Sequence, residues 1–176
     1  MSAAPKIDAG LHDCRDTFAR TLESLAEADE RSTAGLLGFQ AGNRHWLVRL
    51  ADSGEIIPLP TLTTVPLTRP WFVGIANIRG NLFSVSDFSA FQGREPTPQN
   101  STARLLLIGT RHGNNAALLV TRTLGLRNLD NFTRRPGDAD APPWAGESFA
   151  DHDGQQWTLL DVQALLADER FMDIGV

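Results

Sequence analysis

Apolar residues recur at helical spacing in the first part of the chain and at alternating spacing in most of the rest. Between residues 8 and 30 the pattern predicts an amphipathic helix. Its apolar stripe consists of Leu11, Phe18, Leu22 and Leu25, with Cys14 and Ala26 beside it. We expect this N-terminal segment, residues 1–34, either to pack against the rest of the chain or to present a detachable helix to a partner.

From Gly35 onward the alternation of apolar and polar residues predicts strands. A first hairpin turns at Gly42-Asn43. Its apolar positions are Leu37, Phe39, Trp46, Val48 and Leu50. A second hairpin joins residues 104–110 to residues 116–121. Both of its arms are so rich in Leu, Ile and Val that we expect them to be buried on both faces.

The remaining segments are short. Prolines break residues 55–67 into extended pieces, and residues 130–143 have the composition of a loop. The polar, proline-bearing segment 93–103 is expected to connect two subdomains. Residues 161–171 predict a short C-terminal helix with Asp161 as its N-cap. Many short strands, with helices only near the ends, are typical of a mainly β fold of the barrel or sandwich class.

Residues 71–88 predict a third hairpin. A turn centred on Gly80-Asn81 would satisfy the type II′ preference for glycine at its first position. The resulting register pairs Arg79 with Leu82, Ile78 with Phe83, Asn77 with Ser84, and Ala76 with Val85. One face of this hairpin is then apolar and carries Ala76, Ile78, Phe83 and Val85. The other face carries Asn77, Arg79, Leu82 and Ser84.

Arg79 is expected at the tip of this hairpin, on the face away from the core. As a solvated surface arginine it would contribute less than about 1 kcal/mol to stability. As an interface anchor, its truncation would cost about 2 kcal/mol of binding or more. We expect Gly74 to allow a close approach of strands, Gly80 to form the turn, and Asp87 to cap the segment that follows.

Composition narrows the possible functions. The 176 residues include 16 basic and 21 acidic side chains, and the net charge of −5 gives no general attraction for phosphate backbones. The single cysteine, Cys14, forms neither an internal disulfide nor a cysteine zinc site, which suits a reducing cytosol. No apolar run approaches the roughly 18 residues of a membrane span, and no secretory signal is expected at the N-terminus.

The polar residues show no catalytic arrangement. The four histidines are His12, His45, His112 and His152, and they lie far apart in the sequence. The sequence Asp151-His152-Asp153-Gly154 fits a hairpin turn better than a metal site. Motifs for phosphate binding, dinucleotide binding and serine hydrolysis are absent. We therefore expect no catalytic residue, no metal and no cofactor.

Three motifs together resemble the CheW family of chemotaxis coupling proteins. The first is Gly74-Ile75-Ala76-Asn77-Ile78-Arg79-Gly80, followed by Phe83-Ser84-Val85-Ser86-Asp87-Phe88. The second and third are residues 121–126 and 157–166. Three positions depart from the family pattern: Ser84 replaces its proline, Thr121 its aspartate and Thr123 its valine. The resemblance covers about residues 35–167.

The resemblance implies two small SH3-like β-barrels packed together within residues 35–176, and no catalytic activity. It implies an adaptor that couples the cytoplasmic tip of a methyl-accepting chemoreceptor to the regulatory domain of a CheA-like histidine kinase. Such an adaptor is cytoplasmic and joins receptor arrays at the inner membrane, without inserting into the membrane and without binding nucleic acid. The positions carried over to the partner-binding region are Asn77, Arg79 and Gly80, and the exposed apolar Leu82 beside them is a candidate contact for a receptor helix.

The predicted N-terminal helix and the departures from the pattern resemble the PilI-type branch of the family, which controls type IV pili and twitching motility. A flagellar CheW is the alternative. A third possibility is an unrelated small β-barrel module that binds single-stranded nucleic acid. Its basic patch would be Arg104, Arg111, Arg122 and Arg127, although the net charge of the chain argues against it.

Overall fold

The computed structural model describes residues 35–176, which form two β-sheets. The predicted amphipathic helix at residues 8–30, with Cys14, lies outside the described residues. The domain boundary near residue 34 therefore stays a prediction. Within residues 35–176, no helix has the length and apolar character needed to cross a bilayer.

The six-stranded sheet is built from both ends of the described chain. In spatial order its strands are β8 (Arg122–Arg127), β1 (Leu36–Ala41), β2 (Arg44–Arg49), β11 (Gln156–Leu160), β10 (Ala145–Ala150) and β9 (Thr133–Arg135). The predicted first hairpin is confirmed, because Ala41 lies opposite Arg44 across the Gly42-Asn43 turn. Strands β2 and β11 are the parallel pair of this sheet.

The five-stranded sheet comes from the middle of the chain. Its spatial order is β3 (Ser53–Pro58), β6 (Arg104–Ile108), β7 (Ala116–Val120), β5 (Asn81–Asp87) and β4 (Phe72–Ile78). The predicted second hairpin is confirmed as β6 and β7. Every residue of β7 is buried, as expected for a strand covered on both faces.

A close backbone approach closes the five-stranded sheet into a barrel. Beyond β3 the chain returns to the opposite edge, where Thr63 and Ile75 exchange two backbone hydrogen bonds of 2.8 Å. Gly74 makes this approach possible. Its φ is +145°, and a Cβ at this position would lie 2.3 Å from the carbonyl oxygen of Thr63. The expected role of Gly74 is therefore confirmed.

Three apolar clusters fill the fold. One lies inside the five-stranded barrel and includes Phe83, Val85 and Leu119. A second lies on one face of the six-stranded sheet and includes Leu47 and Trp157. The largest lies between the two sheets; its members include Phe39, Trp46, Phe88, Ile108 and Leu118. The mainly β fold with two packed subdomains is thus confirmed, with six strands in one sheet and five in the other.

Helix α1 (Phe88–Phe91) begins directly after β5 because Asp87 caps it. The Oδ1 atom of Asp87 accepts the backbone N–H groups of Ser89 and Ala90, at 3.0 and 3.2 Å. The same carboxylate accepts the N–H and the hydroxyl of Thr97, at 2.6 and 2.7 Å. The expected capping role of Asp87 is confirmed, and it also fixes the segment that follows the helix.

The path of the chain differs from the expectation in two places. Segment 93–103 joins α1 to β6, and the strands on either side of it belong to the same sheet. The chain instead passes between the sheets at residues 50–52 and at Thr121. Part of the expected loop at residues 130–143 forms edge strand β9, because its backbone pairs with β10.

The predicted C-terminal helix is divided into α2 (Val162–Ala167) and α3 (Glu169–Met172). Asp161 caps α2 as expected, accepting the N–H of Ala164 at 3.0 Å. Asp168 causes the division. Its carboxylate accepts the N–H groups at the start of α3 and also the indole N–H of Trp144, at 2.9 Å. A continuous helix would leave that buried indole without its partner.

Candidate partner-binding hairpin

The β4–β5 hairpin turns at Arg79-Gly80, not at Gly80-Asn81. Ile78 lies opposite Asn81, and Asn77 lies opposite Leu82. Arg79 and Gly80 have φ values of +52° and +84°. Positive φ at both central residues is the pattern of a type I′ turn. The predicted register was wrong, because arginine was not expected to adopt the left-handed conformation that the turn requires.

The distribution of side chains between the two faces nevertheless holds. In the observed register each β4 residue pairs two residues earlier along β5 than predicted, which is one full repeat of the side-chain alternation. Ala76, Ile78, Phe83 and Val85 are therefore buried together, as expected. Asn77, Leu82 and Ser84 lie on the other face, whereas Arg79 belongs to the turn itself.

Asn77 holds this turn in place. The backbone N–H of Gly80 donates a hydrogen bond of 2.9 Å to Oδ1 of Asn77. Gly80 has open space around the position of a Cβ, so its positive φ is the reason a glycine suits this site. Asn77 and Gly80 therefore fix the shape of the tip.

Arg79 projects from the tip, where its side chain is 74% exposed. Its guanidinium donates to the carboxylate of Glu55 on β3. Strands β3 and β4 are the two edges of the five-stranded sheet, so this ion pair spans the same gap that Thr63 closes. An ion pair this exposed adds little to stability, so the guanidinium is available to a partner at small cost.

Leu82 is the apolar part of the tip. It is 60% exposed and lies directly across the hairpin from Asn77. Ser84 and Ser86 follow on the same face of β5 and line a groove of about 170 Å³. Its remaining walls combine the polar Asn114 and Asn115 with apolar side chains that include Leu166, Phe171, Met172 and Ile174. The four predicted positions are thus brought together at one tip, beside a partly apolar groove.

Sequence reasoning missed Glu55 and the C-terminal wall of the groove. Glu55 occurs in a short proline-broken strand with no motif around it. The groove combines β5 with α3, which lie about eighty residues apart in the sequence. No local pattern indicates such a contact, because it depends on how the two sheets and the C-terminal helices pack.

Within residues 35–176, no three His, Cys, Asp or Glu side chains gather as metal ligands. Two groups there have shifted pKa values: His45 lies on β2, and Asp151 lies in the turn between β10 and β11. Burial lowers the pKa of His45, with Arg122 adding to the effect. The hydrogen bond from Trp157 lowers the pKa of Asp151.

The arginines of the alternative basic patch belong to different sheets. Arg104 begins β6, Arg111 lies in the short 3-10 turn after it, and each donates to backbone carbonyls. Arg122 and Arg127 lie at the two ends of β8. Arg122 donates to Gln40, and Arg127 covers the ring of Trp157. They do not form the aromatic-lined basic face that single-stranded nucleic acid requires.

The fold and the sequence both correspond to a known class of protein. The model of the CheW-like domain family matches residues 35–170, and the chain belongs to this family. Protein PilI of Pseudomonas aeruginosa is 29% identical over 145 residues, which cover 80% of this chain and 79% of that protein. The chemotaxis protein CheW of Helicobacter pylori is 27% identical over 106 residues, covering 58% of this chain and 63% of that protein.

A solved structure shows the same architecture. The scaffolding protein TtCheW from Thermoanaerobacter tengcongensis superposes with a TM-score of 0.61 at 17% identity. The match covers 73% of this chain and 89% of that one. The likeness confirms the fold, and the resemblance to a PilI-type member of the family is supported by the sequence comparison.

Proposed function

We propose that this protein is a non-catalytic signalling adaptor that couples a chemoreceptor to a CheA-like histidine kinase. Membership of the CheW-like domain family supports the adaptor role. The receptor would be contacted at its cytoplasmic tip, and the kinase through its regulatory domain. The adaptor would act in the cytoplasm, within receptor arrays, without a cofactor, without nucleic acid and without inserting into the membrane.

The observation that carries this proposal is the tip of the β4–β5 hairpin. It presents a permanent cation, Arg79, beside an exposed apolar side chain, Leu82, on a rigid turn. Arginine with an adjacent apolar side chain is a common composition of interface anchors. Because Asn77 and Gly80 already fix the turn, a partner would bind a preformed surface.

The groove next to the tip suits a partner helix. Met172 is exposed at its wall, and Ser84 and Ser86 lie along its floor on the same face of β5 as Leu82. An amphipathic helix could lay one apolar face along this surface and reach Arg79 with an acidic side chain. The cytoplasmic tip of a chemoreceptor, which is helical, is a partner of this type.

Control of type IV pili and twitching motility is the specific pathway that we propose. The sequence match to PilI covers 80% of the chain, whereas the match to the Helicobacter CheW covers 58%. A flagellar chemotaxis adaptor remains the second candidate, since both relatives contain the same domain. Deletion of the gene distinguishes the two: loss of twitching supports the pilus pathway, and loss of swimming chemotaxis supports the flagellar one.

The test of the adaptor role is a pulldown from native lysate with the wild type and Arg79→Asn. Asparagine tolerates the left-handed backbone of the turn, so the variant removes the guanidinium and keeps the hairpin. We expect the wild type to recover a chemoreceptor and a histidine kinase, and the variant to recover at least one of them about tenfold less efficiently.

Two further variants serve as controls. Glu55→Gln breaks the ion pair but leaves Arg79 in place, so we expect it to bind at least as well as the wild type. Arg111→Asn removes an exposed arginine from the loop after β6 and should change nothing. Recovery of neither protein, from a lysate shown to contain both, would contradict the adaptor role. Full binding by a folded Arg79→Asn variant would show that Arg79 is not part of the interface.

A further inference from the structure

A basic cavity opens at one end of the six-stranded sheet, beside the β1–β2 turn. Its volume is about 230 Å³, and its walls come from that turn, from the segment after α1 and from the start of β11. The cationic walls are Arg44 and Arg94, the imidazole of His45 lies beside them, and the amide walls are Asn43, Gln155 and Gln156. Each of these side chains can donate a hydrogen bond, and no carboxylate lines the cavity.

Most of these donors have no partner within residues 35–176. Arg94 donates one hydrogen bond, of 3.3 Å, to Oδ1 of Asn43. Arg44 forms no ion pair with any described residue, and neither does Arg94. The Nδ1 atom of His45 is buried and has no hydrogen-bond partner in this part of the chain. A guanidinium carries five N–H groups, so a large donor capacity remains at the cavity.

Three other arginines of the described chain pair with a carboxylate. Arg69 pairs with Asp173, Arg79 with Glu55 and Arg134 with Glu147. In a chain of net charge −5, carboxylates are in excess. No described carboxylate pairs with Arg44 or Arg94, and their guanidinium charges at the cavity attract anions.

The nearest acidic neighbour of His45 is already engaged. Asp151 accepts the indole N–H of Trp157 at 3.0 Å and the backbone N–H groups of Asp153 and Gln155, at 3.0 and 2.9 Å. These bonds hold the Asp151 carboxylate in the turn before β11. It therefore does not neutralise the arginines of the cavity.

We propose that this cavity binds a single oxyanion, a carboxylate or a phosphate-like group, held by Arg44, Arg94 and His45. Guanidinium groups bind both kinds of oxyanion through paired charge-assisted hydrogen bonds. The volume suits one such group and falls below the range of sites for drug-sized ligands. The oxyanion comes either from a free inorganic ion or from an acidic side chain of a protein partner.

His45 supplies a direct readout of the bound anion. Its pKa is lowered by burial and by the charges of Arg122 and Arg127, against an opposing contribution from Asp151. A negative charge in the cavity stabilises the imidazolium and raises this pKa again. The exposed His152, in the turn before β11, provides an internal reference in the same sample.

The experiment is an NMR titration of the histidine rings with sulfate, an ion that stays divalent over the titration range of histidine. We expect sulfate to raise the pKa of His45 by about half a unit or more. Arg44→Gln and Arg94→Gln should each weaken sulfate binding about tenfold. Arg111→Gln, on the other sheet, is the matched control and should bind sulfate like the wild type.

The proposal is overturned if His45 does not respond to sulfate, if Arg94→Gln responds like the wild type, or if Arg111→Gln loses binding equally. A parallel titration with tetraglutamate distinguishes the two sources. Tighter binding of the peptide identifies a carboxylate partner, and tighter binding of sulfate identifies a free ion. Because the readout is binding at His45, failure here leaves the adaptor proposal intact, and failure of the pulldown leaves this site intact.

Discussion

The β1–β2 and β4–β5 hairpins contain the same dipeptide, Gly-Asn, and use it differently. In the first hairpin Gly42-Asn43 is the turn, and the strands pair on either side of it. In the second hairpin Arg79-Gly80 is the turn, and Asn81 is already the first residue of β5. The dipeptide therefore does not by itself decide where a hairpin turns.

The side chains around each glycine make the difference. The N–H of Gly42 donates to the hydroxyl of Thr121 at 3.0 Å, and its carbonyl accepts the Gln40 amide at 2.8 Å. In the second hairpin the N–H of Gly80 donates to Asn77 at 2.9 Å. A polar side chain three residues before Gly80 thus selects the turn, even though Arg79 must then adopt a left-handed conformation.

We expect the largest difference in stability from alanine at the glycine inside a strand of each hairpin, Gly74 in β4 and Gly38 in β1. A Cβ on Gly74 would meet the Thr63 backbone at 2.3 Å, at a φ that side chains avoid, whereas a Cβ on Gly38 would meet the Trp157 ring at 3.0 Å. We expect Gly74→Ala to cost roughly 3 kcal/mol or more, and Gly38→Ala about 1 kcal/mol. Urea denaturation measures both. Equal costs would mean that Thr63 does not close the barrel.

The next largest loss of stability is expected from alanine at the turn glycines, Gly42 and Gly80. Both have positive φ, which costs about 1–2 kcal/mol for a residue with a Cβ. A Cβ on Gly42 would also lie 2.8 Å from Oγ of Ser89, which is buried, whereas Gly80 has open space. We expect Gly42→Ala to cost roughly 2–3 kcal/mol, about 1 kcal/mol more than Gly80→Ala. Thermal melts should show this order, and the reverse order would contradict it.

The register of the second hairpin is tested by its two asparagines. Asn77→Ala removes the hydrogen bond to Gly80 and should cost about 1 kcal/mol. Asn81→Ala removes an exposed side chain at the start of β5 and should cost close to zero. If the turn were centred on Gly80-Asn81 instead, the substitution at Asn81 would be the damaging one. Chemical denaturation of both variants distinguishes these registers.

The smallest expected effect is a pH dependence of stability that arises from His45 in the first hairpin and has no counterpart in the second. The folded protein lowers the pKa of His45 below its ordinary value of 6.5, so the unfolded chain binds the proton more readily. Stability should therefore fall slightly as the pH drops through about 6.5, and then level off below the folded pKa. His45→Gln should remove this step from a plot of stability against pH. An unchanged step would assign it to another group.

The apolar pattern predicted much of this fold, because burial follows local alternation. Leu37, Phe39, Trp46 and Val48 are buried as their spacing indicated. The division of the β4–β5 hairpin into a buried and an outer face also follows from alternation. It survived an error in the register, since the two registers differ by a full side-chain repeat.

Features that depend on distant parts of the chain were not predictable in this way. The ion pair of Arg79 with Glu55 and the hydrogen bond of Trp144 with Asp168 join residues 24 positions apart in each case. The basic cavity combines three separate segments. The candidate tip itself was found because its four positions fall within one short motif, from Asn77 to Leu82.

The carboxylate of Asp87 explains why a signature residue need not touch a partner. It is 3% exposed and accepts four hydrogen bonds, two from the start of α1 and two from Thr97. In an Asp87→Asn variant the side-chain N–H₂ group would face one of these donors, and that hydrogen bond would be lost. In an Asp87→Glu variant the carboxylate would lie one methylene too far from the backbone. Two residues of one motif therefore have different tasks. The buried Asp87 carboxylate holds the fold together, whereas the exposed Arg79 guanidinium is the contact that we propose for a partner.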